Sequence, residues 1–69
     1  MGVQIVTQAI GVHWLVCVDR HRIADIWKDP GKYGRHRLTD YEGKLVGTRR
    51  RLDDITRLAR KVFGEDLPA

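Results

Sequence analysis

The residues able to do chemistry in this chain are three histidines, one cysteine and thirteen Lys and Arg side chains set against nine carboxylates. His13, His21 and His36 fall on different expected strands or turns, and no His-Glu-x-x-His, paired-cysteine or glycine-rich phosphate motif is present. His13 and Cys17 share one side of a strand at i and i+4, which sets them about 13 Å apart, too far to hold one metal. No metal site and no cofactor are expected, and a single cysteine rules out an internal disulfide. A metal-free ribonuclease using His36, Arg35, Arg37 and a carboxylate is a catalytic arrangement these residue types allow. Nothing in their spacing requires it, so the chain reads as a non-enzyme.

The cations say more. Nine of the thirteen are arginines, whose planar fork suits phosphates and guanine edges, and the net charge is +4. Arg22, Lys28, Lys32, Arg35 and Arg37 spread over adjacent hairpin strands with Trp27 and Tyr33 between them. Arg49, Arg50 and Arg51 form a second group where a strand should pass into a helix, a place where side chains and helix N-terminus both suit a phosphate. These eight residues are the expected nucleic-acid contacts. Asp19, Asp25, Asp29 and Asp40 interleave with them and thin the field.

The elements that must position these residues follow from periodicity. Val3–Ile10 is β-branched and closed by Gly11. His13–Asp19 alternates Trp14, Val16 and Val18 with His13, Leu15 and Cys17, a central strand with two largely apolar faces. After a turn at Asp19-Arg20-His21, Arg22–Lys28 sets Ile23 and Trp27 on one face and Ala24 and Ile26 on the other. Asp29-Pro30-Gly31-Lys32 is a turn signal. Tyr33–Thr39 then reads as a polar strand with Tyr33, Arg35 and Arg37 on one face. Asp40–Gly43 turns again before a short strand over Lys44–Thr48.

From Arg49 the period becomes 3.6, with Leu52, Ile55, Leu58, Ala59, Val62 and Phe63 on one helical face, Thr48 as N-cap and Gly64 just past the end. The fold class is therefore α+β: an antiparallel meander of three to five strands with one C-terminal amphipathic helix on one face. Residues 1–64 form a single domain and 65–69 a short tail.

Ala24–Lys32 (ADIWKDPGK), Gly47-Thr48 and the helix Leu52–Val62 (LDDITRLARKV) together resemble the β-sheet DNA-binding domains of plant ethylene-response factors and the arm-binding domains of tyrosine-type phage integrases. The resemblance covers about half of the chain. It implies a sheet that reads DNA, with Trp27 or Lys28 near a DNA-contacting arginine of the family and Trp14 near a tryptophan of the preceding strand. Asp40–Gly43 adds a turn to the family pattern, and Val3–Ile10 lacks the cations of the family's first strand.

The expected function is a small sheet-type nucleic-acid-binding module, with DNA favoured, regulatory or accessory, of a kind that suits a phage or mobile element. The alternative is a protein-interaction module or inhibitor of a host factor acting through the uncharged first strand. Ile5, Trp27 and Tyr33 are its candidate interface residues, and Trp14 is core. So small a core, with no disulfide or metal, favours a homodimer. The lone thiol suits a cytoplasmic setting, and no apolar run approaches the roughly 18 residues a membrane span needs.

Overall fold

A computed structural model describes residues 2–64; the expected tail over 65–69 lies outside them. Five strands form one antiparallel sheet in chain order: β1 (Val3–Ala9), β2 (His13–Val18), β3 (His21–Lys28), β4 (His36–Asp40) and β5 (Leu45–Arg49). The helix α1 (Leu52–Phe63) packs on one face. The α+β meander read from the sequence is the fold observed.

Each turn has its own chemistry. Gly11 and Gly43 take φ of 76° and 86° at the first and last hairpins. At the last, the Asp40 carboxylate accepts from the amides of Glu42 and Lys44, each at 2.9 Å, so one side chain stitches the turn. Asp19 and Arg20 between β2 and β3 are not glycines, yet both have positive φ, 57° and 69°. A two-residue hairpin whose twist matches its strands requires that geometry. Arginine meets it at some steric cost.

The third connection is longer than the sequence suggests. Gly31 has the expected positive φ of 99°, but the chain does not re-enter the sheet until His36. The Asp29 amide donates to the Arg35 carbonyl at 2.9 Å, and the Lys28 ammonium donates to the carbonyls of Asp29 and Gly31 at 3.0 and 3.1 Å. These bonds close residues 29–35 into a self-supporting loop. Tyr33 therefore sits on an exposed loop and not on a strand beside Arg37.

Three bulges break the period of two. Gln8 in β1, Ile23 in β3 and Val46 in β5 are each extra residues without a partner. The bulge at Ile23 matters most. It turns Ile23 to the core, where it packs with Ala24, and moves Arg22 to the face of Asp25 and Trp27. The even alternation expected for Arg22–Lys28 had set Ile23 beside Trp27.

The core lies between α1 and the sheet: Val3, Trp14, Val16, Ala24, Ile26 and Leu38 meet Ile55 and Ala59. Gly47 lets the helix approach β5, since a Cβ there would stand 2.7 Å from Leu58 Cδ2. Thr48 is not the N-cap; it lies within β5 opposite Arg37, and Arg51 takes the cap position with extended backbone and no side-chain bond. Gly64 follows the helix as expected, but its φ is −131°. Its lack of a side chain answers a steric need instead, because a Cβ would run into Val3. Val62 is exposed, so the apolar stripe is narrower than its sequence spacing implies.

Ile55 is fully buried at the centre of the contact. Ile55→Ala should cost about 2–5 kcal/mol, comparable with the whole stability of a domain this size. Urea titration followed by circular dichroism should find most of the variant unfolded in water, with the control Val62→Ala near wild type.

Candidate nucleic-acid interface

With the helix on one face, the register defines what stands on the other. Cross-strand partners share a face, so His13 and Trp27, Leu15 and Asp25, Cys17 and Arg22, and Trp27 and Arg37 line the open side. Asp25 is its centre and is only 7% exposed. His13 Nε2 donates to Asp25 Oδ2 at 2.9 Å, and Arg22 Nη1 reaches both carboxylate oxygens at 3.1 Å. The His13 ring stacks on Trp27, with centroids 3.6 Å apart and planes within 8°. Arg22 also lies over the Tyr41 ring at 5.8 Å. His13 and Cys17 share this face, as their spacing requires, without forming a site together.

This cluster occupies cations that the sequence offered to a partner. Arg22 is held by Asp25, and Arg37 Nε pairs with Asp29 Oδ1 at 2.7 Å. Lys28 is tied into its own loop. A phosphate on the open face would have to compete with a carboxylate at each arginine, and the net field there is weak. Arg35 is exposed just before β4.

A different group of cations comes together at the far edge of the sheet. Lys32, Tyr33 and Gly34 of the β3–β4 loop face Arg50, Arg51 and Asp54 at the β5–α1 junction across one open concavity. Lys32 Nζ stands 5.9 Å from the Tyr33 ring. An adjoining groove is lined by Arg49, Asp54, Arg57, Leu58 and Lys61. Lys32, Arg49, Arg50 and Arg51 are thus gathered from two segments, beside the first turn of α1. Arg57 and Lys61 were not among the expected contacts. Their i, i+4 spacing on the polar helix face was visible, but not that this face borders Arg49.

The candidate interface residues separate in the same way. Ile5 sits half-buried on the edge strand β1, Trp27 on the open face, and Tyr33 at the basic junction. His36 is buried on the helix side, against Trp14, and its Nδ1 donates to the Arg50 carbonyl at 3.1 Å. It thereby holds the junction in place, while the Arg37 side chain lies on the opposite face. His36, Arg35 and Arg37 are not brought into one site.

Among the described residues no group of three His, Cys, Asp or Glu side chains could hold a metal, and no helix is long and apolar enough to cross a membrane. No protein family matches the chain, and no curated protein or solved structure matches it either. The site's geometry is therefore what a functional reading has to stand on.

Asp25 carries two partners, and loss of its carboxylate leaves both without an acceptor. Asp25→Ala should cost about 1.5–3 kcal/mol, the range for hydrogen bonds to charged groups, since half-exposed Arg22 can return to water. Thermal melts of Asp25→Ala and Arg22→Ala should show the first as the more destabilised.

Proposed function

We propose that this chain is a small DNA-binding module of accessory or regulatory kind, gripping the phosphate backbone through the basic junction at the start of α1. The observation that supports this is the convergence of Lys32, Arg50 and Arg51 on one concavity, with Tyr33 on its wall and Arg49, Arg57 and Lys61 beside it. Arginine forks and a flanking aromatic ring suit a sugar-phosphate chain. Asp54, within this set, sits in the first helical turn, where it complements the dipole. On this reading the open sheet face is not the primary grip, because its arginines already hold carboxylates.

Binding to random duplex DNA should therefore weaken steeply as salt rises. Each phosphate neutralised by a side chain contributes roughly 0.9 to the slope of log K against log salt. Arg50→Ala/Arg51→Ala should flatten that slope, and Arg35→Ala/Arg37→Ala should flatten it less. Fluorescence anisotropy across a salt series makes the comparison. The reverse order would make the sheet side the reader. Wild-type binding weaker than about 100 μM at low salt, below the usual non-specific range, would overturn the proposal and favour a protein partner.

A further inference from the structure

The sheet has two outer edges, and they differ. β5 is bulged at Val46, ends on Arg49 and follows Lys44. β1 carries no charged residue and no proline anywhere between Gly2 and Val12. Natural edge strands are usually blunted by such residues, and an unblunted edge is a template for pairing.

The register shows which backbone groups of β1 are free to pair. The Asp19-Arg20 hairpin closes on Val18 and His21, so Val18 directs its amide and carbonyl to β3. Alternation along β2 then turns Cys17 and Leu15 toward β1, where they meet Gln4 and Val6. Val3, Ile5 and Thr7 accordingly direct theirs outward. Arg60 confirms the direction at Val3, whose carbonyl accepts its guanidinium at 2.6 Å. That hydrogen bond blocks one end of the edge, and the bulge at Gln8 interrupts the other. The open stretch is Ile5–Thr7.

We infer that two copies of this chain pair antiparallel through β1, with Val6 on the two-fold axis directly opposite Val6 of the partner subunit. In this register Ile5 exchanges both backbone bonds with Thr7 of the partner subunit, and Thr7 with Ile5 of the partner subunit. The four outward groups find partners, and each Arg60 keeps its hold on Val3. A register centred on Ile5 would instead bring another amide to the Val3 carbonyl that Arg60 already occupies. The axis falls at a pair without hydrogen bonds, where Cα atoms approach to about 4.5 Å. It covers a valine that is 45% exposed in the single chain.

Charge permits the association although each copy carries +4. The basic junction lies by β5, four strand spacings or about 19 Å from β1. The two junctions then stand nine spacings apart, about 43 Å, far beyond the screening length of about 8 Å. The two Arg60 side chains fall on opposite sides of the axis, about 20 Å apart along the strands. A second copy fits because an antiparallel strand that reads Ile5–Thr7 in reverse offers the same pattern of donors and acceptors.

Sedimentation equilibrium at roughly 100 μM, a concentration suited to a small interface, should give twice the 8.0 kDa chain mass. Hydrogen exchange at the Ile5 and Thr7 amides should slow as concentration rises. Mild oxidation should link Cys17→Ala/Val6→Cys into a covalent dimer and leave Cys17→Ala/Gln4→Cys unlinked, because that register sets the two Gln4 positions about 13 Å apart along the strands. Thr7→Pro, which removes an outward amide only, should be monomeric with its melt preserved. A mass of 8.0 kDa at every concentration, or equal crosslinking from positions 4 and 6, would overturn the proposal. Should Thr7→Pro fail to fold, the crosslinking comparison still decides.

Discussion

One amphipathic helix has to serve a five-stranded sheet, and it can cover only one of the two faces. That shortage of apolar cover governs the rest of the molecule. On the helix side, Trp14, Val16, Ala24, Ile26 and Leu38 pack against Ile55 and Ala59. On the other side the described residues supply no second layer, and the strands are joined across their surface by charge and by stacking. Asp25 binds His13 from β2 and Arg22 from its own strand, His13 lies flat on Trp27, and Arg37 bridges to Asp29. The ion pairs that stabilise the open face are the same pairs that withdraw its arginines from a partner.

This division explains why the free basic character moves to the rim. Arg22 and Arg37, on the strands, each have a carboxylate within reach, Asp25 on the same strand and Asp29 at the start of the β3–β4 loop. A cation on the β3–β4 loop or at the β5–α1 junction lies off the ladder, so Lys32, Arg50 and Arg51 remain open around their concavity. His36 links the two halves of the molecule: its ring is part of the core beside Trp14, and its Nδ1 fastens the Arg50 carbonyl.

The five strands and the helix were legible because alternation, turn residues and the change of period are local signals. Val16, Ile26 and Ile55 were readable as core from the same patterns. What stayed hidden depended on neighbours distant in sequence or on backbone features without a residue signature. The bulge at Ile23 shifts the faces of β3 by one residue, and only that shift brings Arg22 to Asp25. The loop over residues 29–35 draws its order from the Lys28 ammonium, which in sequence looks like one more surface cation. Arg49, Arg50 and Arg51 were recognised as one group, but the meeting of Arg50 and Arg51 with Lys32 and Tyr33 requires the β4–β5 hairpin to carry the chain back.

The clasp between the ends of the domain bears on how the chain reaches this state. Arg60 holds the Val3 carbonyl, and the bare backbone of Gly64 sits against the Val3 side chain. Every hairpin in the meander closes between close neighbours, whereas this clasp spans 57 residues. Its loop-closure entropy must be met before it returns anything, and the meander shortens that search by bringing β1 and the junction onto one preformed sheet. Docking of the helix is then the late step of folding. Until it occurs the inner sheet face, with Trp14 and Leu38, lies open to water, and the completed helix is what ends that exposure.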